Sequence, residues 1–150
     1  MTIAVDFDGT IVEHAYPKIG KPIPFAIDVL KKLQKEQHTL LLWTVREGGL
    51  LQDAIDYCEQ QGLTFYAANK NYPEEETENA ARKLTCDLFI DDRNIGGLPD
   101  WGVIYNMIKT NTYSSYDMDS FMSDDSRPQK KKNFFIRLGE AWDKAQGRRY

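Results

Sequence analysis

Apolar residues in this chain come in short unbroken runs, and each run ends in polar side chains. Ile3-Ala4-Val5 leads into Asp6-Phe7-Asp8-Gly9-Thr10, and Leu40-Leu41-Leu42-Trp43 into Thr44. Thr64-Phe65-Tyr66-Ala67-Ala68 leads into Asn69-Lys70-Asn71, and Cys86-Asp87-Leu88-Phe89-Ile90 into Asp91-Asp92. Runs of this length with little polar interruption suit strands buried on both faces of a parallel sheet. The intervals between them have helical period. Ala26, Ile27, Leu30 and Leu33 share one helical face behind Pro22 and Pro24, and proline suits a first turn. Leu51, Ala54, Ile55 and Cys58 share a face from about Leu50 to Gln61, with Gly62 as the stop. Glu74 to Leu84 reads as a third helix, acidic in its first turn and carrying Arg82 and Lys83 in its last. Trp101 to Ile108 is a helix or a fifth strand, with the helix preferred. Ile11 to Lys21, broken by Pro17 and Gly20, reads as a loop or small hairpin. Strands alternating with helices predict βαβ units around a parallel sheet.

The pattern changes near residue 110. Residues 110–133 are rich in Ser, Asp, Asn and Lys and read as a linker or an exposed loop. Phe134, Phe135, Leu138, Ala141, Trp142 and Ala145 then recur at helical spacing. The expected organisation is a catalytic domain over 1–110 and a C-terminal extension over 111–150. Charge follows the same division. The whole chain of 150 residues has a net charge of −4, but 111–150 carries +2 and the remainder −6. A net acidic chain argues against a nonspecific nucleic-acid binder, and an acidic first domain suits a cation. Cys58 and Cys86 have no metal-ligand spacing and read as reduced and buried. No apolar run has the length of a membrane span, and no basic leader precedes the first strand. A soluble, cytoplasmic protein is expected.

The polar groups that end the strands are the candidate chemistry. Open parallel sheets bind ligands at the carboxyl ends of their strands. Asp6 and Asp8, two apart in an extended chain, point to one side, and two carboxylates so placed repel each other unless a cation or a proton lies between them.

Taken in order, the strand ends Asp6-x-Asp8-Gly9-Thr10, Thr44, a lysine and Asp91-Asp92 resemble the four motifs of the haloacid dehalogenase-like superfamily of phosphohydrolases. The first motif matches at every position, Leu41-Leu42-Trp43-Thr44 matches the second, and Phe89-Ile90-Asp91-Asp92 the fourth. The third is a single lysine, for which Lys83 is best placed and Lys70 is the rival. The resemblance covers roughly residues 2–109. It implies a three-layer Rossmann-like sheet with helices on both faces and an Mg²⁺-dependent phosphatase. Asp6 would be the nucleophile, forming an aspartyl phosphate. Asp8 would be the acid and base. Thr44 would donate a hydrogen bond to the phosphoryl group, and Lys83 would offset its charge. Asp6 and one of Asp91 or Asp92 would hold Mg²⁺ by side-chain oxygens and Asp8 by its backbone carbonyl. Gly9 and Thr10 would frame the phosphate, with Gly9 supplying the sharp turn. Arg46, just after Thr44, would meet a second anion on the substrate, or form a surface ion pair. His14 is not expected to be a ligand.

The superfamily places cap domains after the first or the second motif. The interval Asp8 to Thr44 holds one loop and one helix, and Thr44 to Lys83 two helices and a strand, so neither has room for a large cap. Capless members act on large substrates whose phosphate can reach an open site, or borrow a lid from a partner subunit; the expected partner here is a phosphorylated substrate, small molecule or macromolecule. The aromatic helix and the Lys130-Lys131-Lys132 run make 111–150 the expected lid or self-association segment. Two other classes compete: a phosphoacceptor signalling domain and a non-catalytic interaction module. Receiver domains place their acidic pair early, unlike this chain, and an idle module would not need four matched polar strand ends.

Overall fold

Central to the fold is β1 (Thr2–Val5), which has a parallel neighbour on each side. A computed structural model describes residues 1–78 and 82–113, nearly all within the compact unit Met1–Thr112. The expected aromatic helix and Lys130–Lys132 lie outside the described residues. After β1 come α1 (Ala26–Lys35), β2 (Thr39–Leu42), α2 (Gly48–Gln60), β3 (Ala67–Ala68), β4 (Leu88–Ile90) and α3 (Trp101–Thr110). The four strands form an open sheet in the order β3-β2-β1-β4, with every pair parallel. This is a Rossmann-like α/β arrangement.

Register decides where the site falls. Val5 is level with Leu42 on one side and Ile90 on the other, and Leu42 with Ala68. The next residue on each strand, Asp6, Trp43, Asn69 or Asp91, therefore emerges along one edge of the sheet. The chain steps outward from β1 through β2 to β3 and then returns past β1 to β4. That reversal puts a topological switch point between β1 and β4, where sheets of this kind leave a crevice.

The side chains divide by strand alternation. Ile3, Val5, Leu40 and Leu42 join one core cluster with Ala26, Leu30 and Leu33 of α1, Ala54 and Cys58 of α2, and Trp101, Ile104 and Ile108 of α3. Ala4, Leu41 and Ala67 face the other way and meet Leu84, with Trp43, Cys86 and Phe89 around them. The expected helices on both faces are not found among the described residues. All three described helices share the first face. Right-handed crossovers explain the division: β1→β2 and β2→β3 step in one direction, so α1 and α2 lie on one side, whereas the return from β3 to β4 crosses the opposite side.

That return was expected to contain a helix over Glu74–Leu84. Its described residues form turns and bends instead. The Glu75 carboxylate accepts from the backbone N–H of Asn71 at 2.6 Å and from Asn71 Nδ2 at 2.7 Å, while Asn71 Oδ1 accepts from the Thr85 N–H at 2.6 Å. Side-chain bonds of this kind compete with helix formation. The third strand is shorter than its apolar run, although backbone pairing continues on either side of it, from Tyr66 N to Leu40 O and from Asn69 N to Leu42 O. The Trp101 segment is a helix. Asp100 caps it by accepting from the Gly102 N–H at 2.8 Å, and Asn111 ends it in the left-handed region at φ 57°. The loop after β1 is the expected small hairpin, closed by Glu13 N to Lys21 O and Ile23 N to Ile11 O. Cys58 is a buried free thiol on α2; Cys86 is also free and is only half-buried, just before β4. No helix among the described residues is long and apolar enough to cross a membrane.

Trp101 ties α3 to the loop after β1. It is 1% exposed, and its Nε1 donates to the Thr10 carbonyl at 3.1 Å. Trp101→Phe keeps most of the packing and leaves that carbonyl without its donor, a loss of about 1–3 kcal/mol. Trp101→Ala adds a cavity and should cost about 3–5 kcal/mol. Denaturant unfolding of both variants checks the order.

Candidate active site

The strand pairing runs one residue beyond β1, with Asp6 N donating to Ile90 O at 2.9 Å. Asp6 is thereby fixed at the seam between β1 and β4. The chain then turns over the Phe7 carbonyl, which accepts from the N–H groups of Ile11 and Val12. Thr10 is fully buried inside this turn. Its hydroxyl donates to Asp6 Oδ2 at 3.2 Å and accepts from the Asp92 N–H at 3.1 Å. A single hydroxyl thus spans the two strand ends. Thr10 was expected to frame a phosphate; its hydroxyl orients Asp6.

Asp6, Asp91 and Asp92 each present one carboxylate oxygen such that the three lie within 4.8 Å of one another. Asp92 Oδ2 pairs with His14 Nε2 at 2.9 Å, and Asp92 Oδ1 is buried without a partner. Gly9 makes this crossing feasible. It has φ 93°, and a Cβ there would lie 2.6 Å from Asp92 Oδ2 and against His14 Nε2. Burial pushes the Asp6 carboxyl up to about 6, with smaller contributions from the charges of Asp91 and Asp92, against the Phe7 N–H and the Thr10 hydroxyl. An orphaned buried oxygen, crowded carboxylates and an all-oxygen donor set are what a hard divalent cation requires. The sequence left open whether Asp91 or Asp92 is the ligand; both offer an oxygen to this group. The Asp8 side chain does not.

Asp8 instead forms a buried ion pair with Arg46. Arg46 Nε donates to Asp8 Oδ2 and Nη2 to Asp8 Oδ1, both at 2.7 Å. Its Nη1 also donates to the carbonyl of Pro17 at 3.0 Å and its Nη2 to that of Lys18 at 2.8 Å. The guanidinium lies 5.1 Å from the ring centroid of Phe7 and 5.4 Å from that of Tyr16. Hydrogen bonding to Asp8 raises the Arg46 pKa further. Arg46 is 0% exposed, so it meets neither a substrate anion nor the surface acids. Both expectations for it are corrected by a partner 38 residues away in the chain.

Asn69 holds the end of β2. Its Oδ1 accepts from the Thr44 N–H at 2.8 Å and its Nδ2 donates to Arg46 O at 3.1 Å. Thr44 Oγ1 accepts from the Arg46 N–H at 3.3 Å, which leaves its own proton free to donate. Asn69 takes φ 53°, a left-handed conformation that asparagine tolerates. A cavity of about 690 Å³ opens at this edge, lined among others by Asp6, Asp8, Trp43, Thr44, Lys70 and Asp91. Lys70 therefore reaches the site. Lys83 does not line it, and its ammonium lies 5.4 Å from the centroid of Phe89. Arg82 and Arg93 also line the cavity. The sequence placed Arg82 only in the last turn of a helix, gave Arg93 no role, and showed no sign that His14 pairs with Asp92. For Asn69 and Lys70 there was a signal: they directly follow the third strand.

No protein-family model and no curated protein matches the chain. Among solved structures, a conserved protein coded by a locus of Bacteroides thetaiotaomicron is 63% identical. The match covers 77% of this chain and 98% of that one, with a TM-score of 0.71. The chain belongs to that protein's family. The shared part takes in nearly the whole of that relative and leaves part of this member of the family outside it.

Two predictions follow from the carboxylates. Asp6 titrates at about 6 in the folded protein against an ordinary value of 3.8. The folded state therefore holds this proton more tightly than the unfolded chain. Ionisation of Asp6 costs stability as pH rises from about 4 to about 6, and the full cost persists above. Asp6→Asn should stabilise the metal-free protein at pH 7.5 by on the order of 1 kcal/mol after allowance for partial exposure, and add little at pH 4. Thermal melts at the two pH values measure this, and a destabilised variant at pH 7.5 would contradict it. Arg46→Met strands the buried Asp8 charge and should cost about 3–5 kcal/mol. Adding Asp8→Asn should recover part of that loss, a coupling that denaturant titration of the single and double variants can read.

Proposed function

We propose that this protein is an Mg²⁺-dependent phosphohydrolase of the haloacid dehalogenase type, which hydrolyses a phosphomonoester through an aspartyl phosphate on Asp6. The observation that carries this reading is the meeting of Asp6, Asp91 and Asp92 at the β1–β4 switch point, one buried oxygen of Asp92 being left without a partner. Mg²⁺ bound by these three side chains would screen the carboxylates from one another and from a phosphoryl dianion. Asp6, turned by the Thr10 hydroxyl, attacks phosphorus, and the bond from phosphorus to the leaving alcohol oxygen breaks. The Thr44 hydroxyl and the Lys70 ammonium hold phosphoryl oxygens at the cavity wall. Water then attacks the same phosphorus. The bond to Asp6 breaks, phosphate leaves, and the carboxylate is restored.

The resemblance gives both proton transfers to Asp8. Both Asp8 oxygens accept from Arg46, so neither is free to meet a leaving oxygen until one of those contacts opens. This pairing favours a second reading, a phosphoacceptor domain in which the phosphoryl group stays on Asp6.

One experiment separates the two. Incubation with p-nitrophenyl phosphate should give steady turnover with Mg²⁺ and none with a chelator. Asp6→Asn should lower kcat by about 10³-fold or more. Normal turnover by Asp6→Asn ends the covalent mechanism. A single stoichiometric burst of p-nitrophenol, with the phosphoryl group retained on the protein, selects the phosphoacceptor.

A further inference from the structure

The cavity is much larger than a phosphoryl group requires, and its cations are only partly used. At about 690 Å³ it falls within the range of sites that enclose a whole small molecule. Lys70, Arg82 and Arg93 all line it. The ion pairs among the described residues are His14–Asp92 and Arg46–Asp8, so none of these three cations forms one there, although the Lys70 charge acts on Glu75. Nor does the Arg82 or Arg93 guanidinium make any hydrogen bond among the described residues. Of the acids on the same wall, Glu75 is occupied by the backbone and side-chain N–H groups of Asn71, Asp8 is occupied by Arg46, and Asp6 and Asp91 belong to the carboxylate group. Glu47 remains. In a region whose net charge is −6, two unpaired arginines facing one cavity are a departure from the general charge. Guanidinium forks match phosphate and carboxylate oxygens in pairs.

The two arginines arrive by different routes. Arg93 lies two residues past Asp91, at the end of β4. Arg82 comes from the connection that crosses the second face of the sheet. Lys70 follows β3, on the far side of the cavity from β4 in strand order, where the proposed function engages it with the reacting phosphoryl group. Trp43 and Leu51 give the wall between them an apolar stretch.

We propose that the substrate is a small phosphomonoester carrying a second anionic group, and that Arg82 and Arg93 bind that second group. The sequence reading gave a second anion to Arg46; the cavity offers these two residues instead. This inference rests on the phosphohydrolase reading for turnover but not for binding, so the test has two arms.

In the first arm, the full chain with Mg²⁺ is given α,ω-alkanediol bisphosphates of increasing carbon number and the matching alkyl monophosphates. At one chain length the bisphosphate should exceed its monophosphate in kcat/KM by about tenfold or more. Arg82→Gln and Arg93→Gln should each bring that ratio towards one, chiefly through KM. In the second arm, calorimetry compares alkane bisphosphonates with monophosphonates, which cannot be hydrolysed, and the same tightening and the same loss are expected. Equal kcat/KM for both series overturns the inference and leaves the phosphohydrolase reading intact. No turnover of any substrate, with bisphosphonates still bound more tightly and the arginine variants losing the difference, ends the phosphohydrolase reading and keeps the anion site. A preference that survives both glutamine variants overturns the assignment to Arg82 and Arg93. Faster turnover of a phosphorylated peptide or oligonucleotide than of every bisphosphate overturns the small-molecule class.

Discussion

Backbone pairing across the β1–β4 seam is the constraint on which the rest depends. The ladder continues past the last strand residue, through Asp6 N to Ile90 O, and so sets the height of Asp6 against Asp91 and Asp92. A slip of one residue would reverse every side chain on β1. Ile3 and Val5 would leave the helical face, and Asp6 would leave the crevice. The core and the carboxylate group therefore depend on one register. The Thr10 hydroxyl reinforces it from the side by touching both strand ends.

The carboxylate group works against the stability of the metal-free fold. Three acidic side chains meet at a half-buried edge, and one oxygen has no partner. Crowding of this kind persists where the surroundings over-determine it, and it is typical of sites rather than of cores. The Arg46–Asp8 pair is different in character. It too is buried, yet all three guanidinium nitrogens donate and two aromatic rings flank it. A buried ion pair is weak evidence for stability in itself. What this one accomplishes is positional: it joins the end of β1, the end of β2 and the hairpin at Pro17 and Lys18 in a single network.

Much of this was legible in the sequence because it is local. Unbroken apolar runs marked β1 and β2, and the polar residues that end them marked the edge of the site. The Asp6-to-Thr10 turn was legible only together with the later strand ends and the motif set they resemble, since two carboxylates at this spacing are by themselves more often an ordinary turn. The rest depends on partners remote in sequence. Arg46 and Asp8 are separated by 38 positions and His14 and Asp92 by 78, and no periodicity reports such contacts. The Glu74–Leu84 helix failed for a local reason that propensity does not weigh, namely that the Asn71 side chain and backbone capture Glu75. The choice between Lys70 and Lys83 turned on distance along the chain from Asp91, whereas the deciding quantity is which lysine reaches the cavity. The distribution of helices between faces could have been worked out from strand order and crossover handedness, but strand order is not itself visible in the sequence.

Gly9 has a consequence for how the loop after β1 and the end of β4 can move. The His14–Asp92 contact passes over Gly9 at a separation that a single methyl group would fill. The missing side chain thus acts as a clearance, and the pair as a latch closed across it. While this contact holds, it ties the hairpin to the residues just past β4. Substitutions in the hairpin, well outside the carboxylate group, would on this account be transmitted to that group mechanically, through His14.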